Sequence, residues 1–377
     1  MRRRPIGRPS LSLILLLTIA GAFCSKSVIA QGSFERASPD TRVLFEEGNY
    51  FETYWLAISP DLTGTGGLLD PTGSGTGDLL ESYDQWAFSL KTDLTPRTSF
   101  ALILDQPWGI NSNYPSIATS GYSGTFGDLE SNELSGILKQ KVGDRFSVYG
   151  GVRIQSLEVA ASIPFGGVFG FSGAYSAVLE RDEGVGFMAG AAYEIPSIKF
   201  RLTATYFSEI ETTHDTLETA GTTVANTETD ISTPQAINLT LQSGIAKDTI
   251  AFGSIRWVDW SQFSVSPPLF SGSVGAPVVN FTEDFFTYTA GIGRRFSDRF
   301  SLAFLVRYTP MTDQVLTTLG PVDGRTTYVL APSVQLPRVK ITPIIAYSDL
   351  GAATNFAGTQ FDDGDAFTVG LRLGFNF

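Results

Sequence analysis

Few residues in this chain are equipped for chemistry, and they are cations and aromatics rather than nucleophiles. His214 is the only histidine and Cys24 the only cysteine. A metal site needs three or four His, Cys or carboxylate ligands brought close together. His214 sits in a threonine-rich stretch with no cysteine and no paired carboxylates at ligand spacing, so no metal and no cofactor is expected. A Ser-His-Asp hydrolase built on His214, a surface phospholipase or protease, is the enzymatic alternative, and lost activity on mutating His214 would support it. The expectation is that the chain is not an enzyme. The Gly-rich stretch 64–78 lacks the Lys-Ser/Thr ending of a phosphate loop. That leaves Arg153, Arg201 and Arg307, cations on the polar faces of alternating segments. Cations so placed could hold the carboxylate of a ligand. They could equally pair with Glu133, Asp105 or Glu209 in a structural network.

The elements that carry these arginines alternate. In 146–154, Phe146, Val148, Val152 and Ile154 oppose Tyr149, Arg153 and Gln155. In 198–206, Ile198, Phe200, Leu202, Ala204 and Tyr206 oppose Lys199, Arg201, Thr203 and Thr205. In 300–308, Phe300, Leu302, Phe304, Val306 and Tyr308 oppose Ser301, Ala303, Leu305 and Arg307. The clearest case is Phe367–Phe377, which alternates without error and ends on Phe. A period of two means a strand with one apolar and one polar face. About nine to eleven tilted residues cross a bilayer, whereas soluble strands average five or six. A cation facing lipid at mid-membrane costs about 2–4 kcal/mol, so the three arginines are expected to point into a lumen.

Such segments recur at 49–59, 83–93, 98–108, 129–141, 146–160, 183–193, 198–210, 234–246, 249–262, 284–294, 300–309, 325–335, 339–348 and 365–377. They predict an all-β, transmembrane antiparallel β-barrel of about fourteen strands. Short links such as Thr95-Pro96-Arg97 and Leu336-Pro337-Arg338 alternate with long ones at 61–82, 109–128, 162–182, 211–233 and 264–283. Short periplasmic turns and long outer loops give that asymmetry. The segment 249–262 changes phase between Ile250/Phe252 and Ile255/Trp257, which predicts a bulge near Gly253 or Ser254. Trp86, Trp108, Trp257 and Trp260 lie at loop-side strand ends and are expected to form an outer aromatic girdle.

The N-terminus reads as an export signal over residues 1–30. Arg2, Arg3, Arg4 and Arg8 precede an apolar run from Leu11 to Ala22, and Ala30 ends a small-residue cleavage site. Residues 31–48 then form a short N-terminal plug before a barrel spanning 49–377. Ser38-Pro39-Asp40 is a helix start, and Val43, Leu44 and Phe45 supply an apolar patch that calls for burial in the lumen. The formal charge of −12 falls further once the basic leader is removed. That acidity argues against a nucleic-acid partner. No apolar run of eighteen or more residues follows the leader, which excludes transmembrane helices.

Four stretches carry a resemblance to the FadL/TodX outer-membrane transporter family. They are Val43-Leu44-Phe45-Glu46-Glu47-Gly48-Asn49-Tyr50, Leu104-Asp105-Gln106-Pro107-Trp108-Gly109, Gly186 to Pro196, and Trp257-Val258-Asp259-Trp260-Ser261-Gln262-Phe263. The resemblance implies a fourteen-stranded barrel with an N-terminal hatch. It also implies inward diffusion of hydrophobic compounds, which leave sideways through a gap at a kinked strand. The Asn-Pro-Ala hatch motif of the enteric fatty acid transporters is absent. Ser264-Val265-Ser266-Pro267 offers no cation where those proteins carry a lysine.

The expected function is therefore passive uptake of hydrophobic compounds, long-chain fatty acids first, with neutral or aromatic hydrocarbons as the alternative. A general porin or an adhesin barrel stands behind them. Burial yields about 0.8 kcal/mol per CH₂, so passage needs successive weak sites rather than one deep one. Phe165, Phe169, Phe171, Leu269 and Phe270 are the candidates for a loop-side apolar site. Arg153, Arg201 and Arg307 are the candidates for the lumen. Pro107, which has no N–H to give a neighbouring strand, is the candidate for the lateral gap. The expected partners are the hydrophobic substrate, outer-membrane lipid and lipopolysaccharide, with the chain a monomer.

Overall fold

A computed structural model describes residues 34–37, 40–117, 120–164, 166–171 and 173–377. The leader 1–30, Ser38-Pro39 and the loop candidate Phe165 lie outside the described residues. The chain forms a closed antiparallel barrel of 14 strands. In chain order these are β1 (Tyr50–Thr65), β2 (Tyr83–Asp93), β3 (Thr98–Asp105, resuming as Gly109–Asn113), β4 (Phe126–Val142), β5 (Phe146–Ile163) and β6 (Tyr175–Ile195). Next come β7 (Phe200–Phe207, resuming as Ile210–Ala220), β8 (Thr223–Thr233, resuming as Ala236–Ala246) and β9 (Thr249–Val258). The last five are β10 (Phe285–Arg295), β11 (Phe300–Thr309), β12 (Arg325–Gln335), β13 (Val339–Leu350) and β14 (Gln360–Asn376). Each strand pairs with its chain neighbours, and β14 closes the ring on β1 from Tyr50↔Asn376 to Thr65↔Gln360. Closure leaves no unpaired edge in lipid, where an orphaned backbone group would be costly.

Side chains sort as alternation requires. On β14, Phe367, Val369 and Leu371 are exposed outward, while Thr368 and Arg372 are buried. On β11, Phe304 and Tyr308 face out, and Ser301, Leu305 and Arg307 face in. The inner wall is not uniformly polar. Tyr54, Leu56, Ile58, Ile250, Phe252, Leu305, Val329 and Ile344 form a buried apolar patch on it.

That patch explains a difference from the sequence reading. There is no bulge at Gly253 or Ser254, because β9 pairs with β10 without a shift from Thr249↔Arg294 to Val258↔Phe285. Ile250 and Phe252 simply face inward in the same phase as Arg256, with Phe252 seated over Gly291, which has no side chain to obstruct it.

The tryptophans divide. Trp86 and Trp257 are half-buried, with Trp86 directly across from the exposed Trp55. Trp108 and Trp260 are buried and belong to the interior instead of a girdle. The expected loop 211–233 is a hairpin that extends β7 and β8 beyond the main ring, turning at Gly221 (φ 59°). The 162–182 loop likewise shortens, since β6 begins at Tyr175. His214 accordingly lies on a strand and is fully buried, its ring between the Glu180 carbonyl and the Thr212 hydroxyl.

Candidate functional site: the lumen and its wall break

The strand ladder is interrupted at β3. The ladder between β3 and β4 runs to Asp105↔Glu133 and resumes at Gly109↔Glu130, which leaves Gln106, Pro107 and Trp108 out of register. On the other side, β2 and β3 pair only from Asp93↔Ser99 to Phe88↔Leu104. Tyr83 to Ala87 therefore have no β3 partner, and the Trp86 N–H donates to the Gln106 side-chain oxygen at 3.1 Å in place of a backbone carbonyl.

Behind the break lies the segment Phe34–Ala37. The Arg36 and Ala37 N–H groups donate to the Pro107 carbonyl at 2.8 and 3.1 Å, and Gly109 N–H donates to the Phe34 carbonyl at 2.9 Å. Gln85 donates to the Arg36 carbonyl at 2.9 Å. The Arg36 guanidinium lies 4.3 Å from the Tyr83 ring centroid and bonds Asn111. It occupies the space a side chain at position 109 would need. Glycine is thus the residue that lets Arg36 lie across from β3 to β2.

Three arginines on the barrel wall, Arg153, Arg256 and Arg201, are held by acids. Arg153 makes a two-pronged bond to Glu133 (2.9 and 2.7 Å) and a third to the Ser208 carbonyl at 2.8 Å. Arg256 pairs with Glu35 at 2.8 Å and with Asn238 at 2.7 Å, which ties the N-terminal segment to the opposite wall. Arg201 pairs with Glu194 at 2.8 Å. Arg307 is buried and inward-facing. The three candidate arginines, Arg153 first with Arg201 and Arg307 behind it, are not all at one place. The β6 partners of Arg153 and Arg201 are Gly186 and Glu194, which separates them by roughly 25 Å at about 3.3 Å per residue.

Arg201 instead meets the stretch before β1. There Asp40 caps a short 3₁₀ helix (Thr41–Phe45) by accepting the Arg42 N–H. Val43 and Leu44 are buried, and Phe45 lies between Arg201 (4.3 Å) and Lys139 (4.4 Å). Burial disfavours the charged Arg42 guanidinium, but Glu52, Asp40 and Glu46 around it more than compensate and hold it above its usual range.

The outer half of the lumen is aromatic. Trp108 and Trp260 meet edge to face at 5.4 Å, and Phe34, Phe263, Phe281 and Phe285 pack around Trp260. Next to this cluster is a partly open cavity with a wholly apolar surface, bounded among others by Phe34, Leu129, Val159, Tyr175, Val265 and Leu319. Four of the five loop-side candidates gather beside Tyr175, at its border, though none of the four lines it. Phe270, on helix α1 (Pro268–Val274), contacts Phe169 at 5.3 Å and Phe171 at 5.8 Å, with Leu269 beside it. Sequence reasoning missed Glu35, Arg36 and the inward Trp108 and Trp260. An aromatic at a strand end has the same sequence signature whether it faces lipid or lumen.

A sequence model of the outer membrane protein transport proteins (OMPP1/FadL/TodX) matches residues 87–315. The chain belongs to that family. As a member of the OMPP1/FadL/TodX proteins it is an outer-membrane channel for hydrophobic small molecules and not an enzyme. Among solved structures it is similar to a Pseudomonas aeruginosa FadL homologue, at 15% identity and a TM-score of 0.74, over 96% of this chain and 98% of that one. It is also similar to the Pseudomonas putida toluene transporter TodX, at 14% identity and a TM-score of 0.66, over 96% and 98%. The Ralstonia pickettii toluene transporter TbuX aligns at 15% identity and a TM-score of 0.60, over 88% and 91%. At these identities the likeness is one of fold. No curated protein matches the chain in sequence.

Proposed function

We propose that this channel carries neutral hydrophobic molecules, aromatic hydrocarbons before long-chain fatty acids. One observation carries the reading. The cavity under the outer loops is apolar throughout, and the nearby lumen guanidinia of Arg153 and Arg256 already hold Glu133 and Glu35. To take either of these two as its counter-ion, a fatty acid carboxylate would have to displace a buried protein carboxylate, at a desolvation cost of several kcal/mol. A molecule the size of toluene needs no counter-ion. It gains little enough on burial, at about 0.8 kcal/mol per carbon, to leave again. Likeness in fold to two toluene transporters is in keeping with this.

In this reading residues 1–30 are a cleaved export signal and 31–48 are a plug whose anchor is Val43, Leu44 and Phe45. Phe169, Phe171, Leu269 and Phe270 form the receiving site, and the chain works as a monomer. The substrate leaves sideways at Pro107 when the Phe34–Ala37 segment withdraws. The ladder interruption on both sides of β3 supports that exit. The test is uptake of labelled toluene and labelled oleate by cells lacking their own transporters, with the folded protein verified in the outer membrane. Toluene uptake without oleate uptake is the expected result. Oleate uptake that depends on Arg153 would return the assignment to fatty acids.

A further inference from the structure

Glu218 is a fully buried carboxylate near the end of the β7–β8 hairpin, and no cation pairs with it among the described residues' salt bridges. Its two oxygens instead accept four hydrogen bonds from neutral donors. Oε1 takes the Thr227 hydroxyl at 2.8 Å and the Leu269 N–H at 2.9 Å. Oε2 takes the Tyr175 hydroxyl at 2.8 Å and the Phe270 N–H at 3.0 Å. One side chain thus joins β6, β8 and the first turn of α1.

These donors belong to the receiving site. Tyr175 lines the apolar cavity, and its ring lies 4.8 Å from that of Phe270. Val265, Pro267, Val278 and Val279, which flank α1 in the same loop, form part of the cavity wall. The remaining hydrogen bonds of α1, from Ser271 to the Pro267 carbonyl and from Gly275 to Ser271, stay within the loop. A carboxylate is suited to this task because it alone offers two oxygens that each accept twice. An amide of the same shape would set its own N–H₂ against two of the donors.

We infer that Glu218 is the positioning residue of the outer apolar site. It clamps α1 at the border of the cavity and so fixes where Phe270 and Tyr175 present their rings to an incoming hydrocarbon. The role in uptake rests on the transport reading above, whereas the clamp itself does not. Glu218→Gln preserves size and removes the negative charge. The expected result is faster backbone amide exchange at Leu269, Phe270 and Ser271. With it comes a half-saturating toluene concentration raised about tenfold, the equivalent of one poorly satisfied buried group, and an unchanged maximal rate. Thr227→Ala removes one donor without freeing the helix and is expected to shift half-saturation by about twofold or less.

Unchanged exchange in Glu218→Gln would overturn the clamp. Faster exchange with unchanged half-saturation would overturn its part in the site while leaving the transport assignment intact. Should the unmodified protein take up no toluene, the transport assignment falls and amide exchange still decides the clamp. Folding of each variant is checked by the heat-dependent gel mobility of an intact barrel. If Glu218→Gln fails to fold, Glu218→Asp keeps the charge but shortens the reach to the Leu269 and Phe270 N–H groups, and faster exchange at those amides is expected, with unchanged exchange overturning the clamp.

Discussion

Arg153 and Glu133 illustrate how a single buried pair constrains what the lumen can bind. Both are almost inaccessible, at 3% and 0% side-chain exposure, so neither charge can be given up alone. Arg153→Met leaves Glu133 as an unpaired buried anion and is expected to cost about 3–5 kcal/mol in urea unfolding of the refolded barrel. Replacing both, as Arg153→Met with Glu133→Leu, is expected to return stability to within about 1–2 kcal/mol of the parent, since a buried ion pair and an apolar pair often weigh nearly equally. Toluene uptake is expected to survive the double change. A channel that used Arg153 to seat a fatty acid would lose oleate uptake in both variants. Sequence placed Arg153 inward from its phase alone. Its partner was one of three acids within reach, and only the pairing of Ser135 with Arg153 across β4 and β5 brings Glu133 beside it.

At the scale of the element, strand β3 is where a local rule becomes a global feature. A proline within a strand cannot donate to the ladder. Here the interruption spreads to Gln106 and Trp108 and frees β2 from Tyr83 to Ala87. The gap is filled by the Phe34–Ala37 segment, and Gly109 is what admits the Arg36 side chain. Gly109→Ala would place a methyl group against the flexible end of Arg36. The barrel is expected to fold, Arg36 is expected to leave the Tyr83 ring, and toluene uptake is expected to rise by a factor of about three to ten. That factor corresponds to roughly 0.7–1.4 kcal/mol, the worth of one cation–π contact. Uptake equal to the parent's would mean that Arg36 does not limit the exit. Pro107 was legible as a break in a strand. That the N-terminus closes it was not, because nothing in a tripeptide of sequence identifies a partner some seventy residues away.

Taken whole, the molecule is a ring of strands with side chains buried at each level of its interior. The outer half holds the Trp108–Trp260 cluster, the middle the Arg256–Glu35 pair, and the inner end the Arg42 network. In planar bilayers the intact protein is expected to conduct ions poorly. Deletion of residues 34–48 removes the Phe34–Ala37 segment and the Arg42 helix together. It is expected to give steady conductance of the kind a water-filled barrel shows. A parent protein that already conducts freely would support a porin.

Sequence by itself determined the ring. A period of two, sustained over membrane-spanning length, forces strands, and a hydrocarbon solvent forces those strands to close. It also set which arginines turn inward, since a cation facing lipid is too costly. Only the tertiary structure decided what fills the ring. Inward positions tolerate Ile250 and Phe252 as readily as Arg256, because a lumen packed by side chains is an apolar interior and not water. The pairing of Glu35 with Arg256, the crossing of Arg36 over Gly109 and the four bonds to Glu218 depend on chain segments far apart in sequence meeting inside the barrel. Periodicity, which reports only the face of one strand, carries no record of those meetings.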